Sequence, residues 1–153
     1  MEADQVKALL GQYNIFDQTI VEHGFTQYMR DYRVVAKIYG RRSANAEVSV
    51  LERYVMLFGG CVEVVYVMKV QLDLNDVFMD YKRYQEAGSP DGFLWAVNSA
   101  EAYPGPTYVD DSERAAVWKG KVHLPMHELL IETNVYELRL VFAELSVTVE
   151  ALG

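Results

Sequence analysis

Residues Cys61–Leu72 read CVEVVYVMKVQL, and in this stretch Val62, Val64, Tyr66, Met68, Val70 and Leu72 alternate without a break. In an extended chain all of them fall on one face, which is the signature of a β-strand. Val65 and Val67 make part of the opposite face apolar as well, so the stretch predicts a central strand with neighbours on both edges and cover on both faces. Immediately before it, Leu51–Phe58 reads as a second strand, and the intervening Gly59-Gly60 suits a two-residue hairpin turn, since glycine tolerates the positive φ of the tight primed turns. Pairing across that turn predicts Phe58 opposite Cys61, Leu57 opposite Val62, Val55 opposite Val64 and Leu51 opposite Met68.

Working outward, Val6, Leu9, Leu10 and Tyr13 recur at helical spacing between Asp4 and Asn14 and predict a short first helix. Ile15–Gln27 is mixed, and His23-Gly24-Phe25 within it reads as a loop or a short extended piece. Tyr32, Val34, Ala36 and Ile38 alternate into a strand. Beyond Leu72 the period changes: Val77, Tyr81 and Tyr84 predict a second helix closed by Gly88. Ser89-Pro90-Asp91-Gly92 fits a type I turn, and Phe93, Trp95 and Val97 alternate after it. Pro104-Gly105-Pro106 is read as a structured loop that cannot continue helix or sheet. Asp110 and Glu113 form a capping-box-like pair before a third helix through Trp118, closed by Gly120. His127–Phe142 predicts a hairpin about Thr133-Asn134, pairing Leu129 with Leu138, Ile131 with Tyr136 and Glu128 with Arg139. Leu145, Val147 and Val149 make a last strand. The expected fold is α+β, a single domain over residues 1–153, with a largely antiparallel sheet built on two β-hairpins (51–70 and 127–142) and about three short helices covering one face.

The chain's 153 residues suit one domain that buries roughly two thirds of its unfolded surface. Hydrophobic residues at 51% and charged residues at 24% are globular values. With 22 acidic against 14 basic residues the net charge is −8, which opposes the phosphate neutralisation that nucleic-acid binders need and suits a basic protein partner, or merely solubility. Cys61 is the one cysteine, so neither an internal disulfide nor a cysteine-cluster zinc site is expected, and a cytoplasmic setting fits. MEADQVKALL carries early acids and no long apolar run, so neither a signal peptide nor a membrane span is expected at the start.

The motifs that carry chemistry are missing or broken. His123 and His127 have Pro125 between them, HExxH begins at His127-Glu128 but ends on Ile131, and a calcium-loop start at Asp73 has Val77 and Phe78 where a ligand and glycine belong. There is no GxSxG, GxxxxGK[ST] or GxGxxG. Cys61 next to Glu63 reads as a packed thiol, because a neighbouring carboxylate does not lower a thiol pKa. No catalytic residue, metal or cofactor is assigned. Polar groups embedded among aromatics remain: Arg30 and Asp31 in QYMRDY, Asn98 after Trp95, and Glu132 with Asn134 in ETNVY. Together with Tyr103 these are the candidate ligand- or partner-binding residues, and the alternative is a hydrogen-bonded network that pins loops to the sheet.

Three stretches, His23-Gly24-Phe25 into Tyr28-Met29-Arg30-Asp31-Tyr32, DGFLWAVN at 91–98 with Ala102-Tyr103-Pro104-Gly105, and Met126-His127-Glu128 through Ile131-Glu132-Thr133-Asn134 to Leu138-Arg139-Leu140, resemble the YxiG-like family of uncharacterised bacterial proteins. The resemblance implies a small cytoplasmic bacterial protein with no assigned catalytic residues. It also implies, through the family's association with toxin and immunity genes, a non-enzymatic interaction protein such as an immunity protein against a basic toxin. The competing expectation is a small-molecule binder or enzyme with a polar-aromatic pocket around Trp95 and Asn98.

Overall fold

The computed structural model describes residues 1–39, 50–69 and 100–151. Among them are helix α1 (Ala3–Gln12), strands β1 (Thr19–Phe25), β2 (Tyr32–Tyr39), β3 (Val50–Gly59), β4 (Glu63–Met68), β5 (Ala100–Glu101) and β6 (Gly105–Tyr108), helix α2 (Glu113–Val122), and strands β7 (His127–Glu132), β8 (Tyr136–Phe142) and β9 (Glu144–Ala151). All pairings are antiparallel and make two sheets, ordered β5-β1-β2-β3-β9 and β4-β8-β7-β6. The expected α+β, largely antiparallel fold is the observed one. The predicted segments 77–88, 89–92 and 93–97 lie outside the described residues.

The alternating residues of the two sheets face each other. Val34, Ala36, Met56, Phe58 and Leu145 of the first sheet pack with Leu129, Ile131, Leu138, Leu140 and Phe142 of the second in one buried cluster. Phe58 and Phe142 meet edge to face, their ring centroids 4.9 Å apart. Each such aliphatic or aromatic side chain contributes roughly 1.5–3 kcal/mol by leaving water. Helix α1, held at its start by a capping box between Glu2 and Gln5, adds Val6 to this cluster and lies against β9. Helix α2 covers the other face of the second sheet, where Ala115 packs with Met126, Val141 and Ala143. The two helices therefore lie on different sheets, and the expectation that helices cover one face does not hold for them.

Gly59-Gly60 departs furthest from the expected hairpin turn. It is not a hairpin: β3 pairs with β2 and β9, β4 pairs with β8, and the two glycines carry the chain from one sheet to the other. Both edges of β3 are occupied, with Leu57 between Arg33 and Ser146 rather than opposite Val62. Gly60 has φ +61°, and a Cβ there would stand 3.1 Å from the Ala143 Cβ, so glycine is required for a sharp exit from the sheet plane rather than for a primed turn. Because β8 alternates like β3, the apolar pattern of Cys61–Leu72 fits either neighbour. Among the described residues its strand, β4, stands at the end of its sheet with β8 as its neighbour, not at the centre; Tyr66, Val67 and Met68 are about half exposed.

Smaller departures follow the same logic. The 127–142 hairpin exists, but Thr133 N–H donates to the Tyr136 carbonyl, so the reversal is centred on Asn134-Val135 and Leu129 faces Leu140, Ile131 faces Leu138. Moving the turn by one residue shifts each pair by two, which keeps every side chain on its predicted face. Gly105 and Pro106 are not loop but the start of the edge strand β6, where proline's missing N–H costs no ladder bond. His23-Gly24-Phe25 is strand, and a bulge between Ile20 and Glu22 breaks the alternation that would have revealed it. Ser112, not Asp110, caps α2 by accepting from Ala115 N–H, and the helix runs through Gly120 to a left-handed His123.

Candidate partner-binding surface

The turn joining β1 and β2 is built locally. Thr26 N–H donates to the Asp31 carbonyl at 2.8 Å and Met29 N–H to the Thr26 carbonyl at 3.0 Å, closing a tight loop with Met29 at φ 58°. A left-handed conformation at a non-glycine residue is costly and persists only where neighbours hold it. The neighbours here are the residues of the sheet crossover. Cys61 N–H donates to the Arg30 carbonyl at 2.6 Å, and Gly60 N–H donates to the Asp31 carboxylate at 3.3 Å. The turn is thus pinned to the fold through the Arg30 carbonyl and the Asp31 carboxylate, while Tyr28 and Met29 are 72% and 71% exposed, with Phe25 half exposed beside them. Tyrosine, methionine and arginine are the residue types over-represented at protein interfaces. A hollow of about 630 Å³ lies against the turn, lined by Thr26, Tyr28, Asp31, Arg33 and Leu57 among others.

Beneath the turn an aromatic cluster closes the two sheets along the β1 and β4 edges. The His23 ring lies 5.6 Å from Tyr66, stacked on it, and 4.9 Å from Tyr136, and its Nδ1 is 2.7 Å from the Tyr32 hydroxyl. Burial lowers the His23 pKa and raises that of Tyr32 to about 12, so at neutral pH both are uncharged and share one proton between oxygen and nitrogen. Burial also raises Tyr136, whose hydroxyl is buried without a hydrogen-bond partner among the described residues. Burial pushes the Cys61 thiol up to about 12, which leaves it inert at physiological pH, as the sequence suggests. Among the described residues no group of three or more His, Cys, Asp or Glu is placed to hold a metal ion.

A second polar cluster lies under α2. Glu128, only 4% exposed, accepts from the Ser112 hydroxyl and from the Arg139 guanidinium at 3.2 Å, while Arg139 also bonds Glu137 at 3.1 Å. The Ser112 hydroxyl gives its proton to that carboxylate and accepts the Ala115 N–H, so it caps the helix and has no histidine to activate it. His127 bridges the Tyr108 hydroxyl and the Met1 carbonyl, each at 2.8 Å. These are satisfied scaffold groups; the sequence placed Glu128 directly opposite Arg139, whereas Glu128 faces Val141 and reaches Arg139, opposite Leu130, across the diagonal.

The structure divides the residues singled out from the sequence. Arg30 and Asp31 are in the β1–β2 turn. Asn134 lies at the far end of β8: its side chain accepts from Glu101 N–H at 2.7 Å and its N–H donates to the Glu101 carbonyl, which docks β5 onto the β7–β8 turn. Glu132 pairs with Gly105 and Glu137 on that side, and Tyr103 packs on Phe16 at 5.7 Å. Cys61, bonded to Arg30, adjoins Val62, whose N–H bonds the Val141 carbonyl near the end of β8, whereas Asn134 stands in the turn before β8 begins at Tyr136, about 17 Å of strand away. The two groups do not converge on one site. Trp95 and Asn98 lie outside the described residues. Tyr28 and Met29 were passed over although both stand in the quoted QYMRDY, because alternation gives no sign of a left-handed turn.

Two packed antiparallel sheets with an exposed, pinned turn define a small α+β protein. The chain belongs to the YxiG-like family: the model of the YxiG-like protein matches residues 2–153. No curated protein matches the sequence. No helix among the described residues is long and apolar enough to cross a membrane.

Proposed function

We propose that this is a non-enzymatic protein-interaction module of the bacterial cytoplasm that docks a basic partner, as an immunity protein docks a toxin, through the β1–β2 turn. The observation that carries the reading is the contrast within that turn, held by Cys61 at the Arg30 carbonyl and by Gly60 at the Asp31 carboxylate, with Tyr28 and Met29 left in solvent. Apolar anchors held rigid lose little entropy on binding, which is the condition for a hot spot. The net charge of −8 supports a basic partner, and exposed Asp4, Asp110, Asp111 and Glu113 add an acidic stretch around the Lys7–Asp110 contact. Such charge acts on association rate and the anchors on dissociation.

The test is a pull-down from the source bacterium at low and high salt with wild type and the Tyr28→Ala/Met29→Ala double variant. A partner that wild type captures in low salt, and that the variant loses, supports the reading; a loss of about 2 kcal/mol is roughly 30-fold in Kd. Capture of no protein in either salt, or equal capture by the double variant, rejects it.

A further inference from the structure

A separate hollow of about 390 Å³ opens where the sheet crossover meets the end of α2, lined by Arg30, Cys61, Val62, Val122, Leu124 and Met126, with Gly60 and Ala143. Its volume lies in the range of small-ligand sites. The lining is apolar apart from Arg30, and no carboxylate among the described residues lines it. Leu124 is half exposed and Val122 a third exposed at its edge. Arg30 is held in place through its carbonyl by Cys61 N–H at 2.6 Å, yet its guanidinium makes no ion pair or hydrogen bond among the described residues. The Cys61 thiol, protonated at neutral pH, serves as apolar wall.

An apolar hollow with Arg30 in its lining, the guanidinium of which has no partner among the described residues, is complementary to an apolar chain ending in an anion that can take a fork of two N–H donors. We propose that this hollow binds a medium-chain aliphatic carboxylic acid, its chain against Val62, Leu124 and Met126 and its carboxylate on Arg30. The hollow shares Arg30 with the β1–β2 turn but not Tyr28 or Met29, so the Tyr28→Ala/Met29→Ala and Arg30→Gln variants let either reading fail alone.

The probes are octanoate, 1-octanol and octylamine, titrated into the full-length protein and followed by amide chemical shifts and calorimetry. Octanoate is expected to shift the amides of Gly60, Cys61, Val122 and Leu124 and to bind about tenfold more tightly than 1-octanol, the loss of one charge-assisted contact. Octylamine should bind weakest. Arg30→Gln should bring octanoate down to the level of 1-octanol, and Leu124→Ser, at an exposed position that leaves the fold intact, should weaken both. The proposal is overturned if octanoate does not bind, if octylamine binds as well, or if Arg30→Gln leaves octanoate affinity unchanged.

Discussion

Arg139 and Arg30 hold opposite positions in the same fold. Arg139 gives its guanidinium to Glu128 and Glu137 beneath α2, whereas Arg30 contributes only its backbone carbonyl and leaves its guanidinium without a partner among the described residues. Asn134 and Met29 repeat the contrast: the first bonds Glu101 through side chain and backbone, the second bonds Thr26 through backbone alone. Polar or unusual residues among aromatics are scaffold where neighbours consume their side chains. Where the fold uses only their backbone, the side chain is left for something else.

The contrast is broken most directly at the arginines. Arg139→Ala leaves the nearly buried Glu128 carboxylate with Ser112 alone, an uncompensated charge, and should cost about 3 kcal/mol in urea unfolding. Arg30→Ala should stay within about 0.5 kcal/mol of wild type. Equal losses would show that Arg30 is scaffold after all. Thr133 offers a sharper scaffold test because it is fully buried, its hydroxyl donating to the Tyr136 carbonyl at 2.9 Å and accepting from the N–H groups of Val135 and Tyr136. Thr133→Val keeps the shape and strands those groups, so a loss of about 2 kcal/mol is expected.

The histidine beneath the turn supplies a pH test of the same idea. His23 is lowered from its ordinary 6.5 by burial, so below that value the unfolded chain binds a proton that the folded chain resists. The stability His23 contributes is present above pH 6.5 and is lost as pH falls towards the lowered folded value. Melting temperature should therefore drop more steeply between pH 7 and pH 5 in wild type than in His23→Gln, on the order of a degree or more of difference. Parallel curves would place the ring in water rather than between Tyr66 and Tyr136.

What was legible in the sequence followed from alternation and spacing. The strand residues Tyr32–Ile38 and Leu145–Val149, the first helix and the faces of the 127–142 hairpin all rest on side-chain periodicity, which survives a shifted turn. Gly59-Gly60 failed because two glycines announce a sharp change of direction without saying in which plane, and because β3 and β8 offer β4 the same apolar pattern. The candidate residues were chosen for polarity among aromatics, a signal equally produced by a sealed network and an open surface. Glu101 N–H meeting Asn134 across thirty-three positions is a tertiary fact with no local trace.

The smallest expected effect isolates the strain in the turn. Met29 sits at φ 58°, which glycine adopts without steric cost, and its side chain is 71% exposed, so little packing is lost on removing it. Against this gain, glycine adds freedom to the unfolded chain, worth about 0.4–1 kcal/mol in the other direction. The left-handed penalty for a residue with a Cβ is roughly 1–2 kcal/mol. Met29→Gly should therefore stabilise the protein by about 0.5 kcal/mol, read as a higher urea midpoint at unchanged slope. If the turn is the docking surface proposed above, the same variant should weaken partner capture while it strengthens the fold. A variant less stable than wild type would show that Met29 packs against the fold, and the distinction between scaffold and surface would fail at this residue.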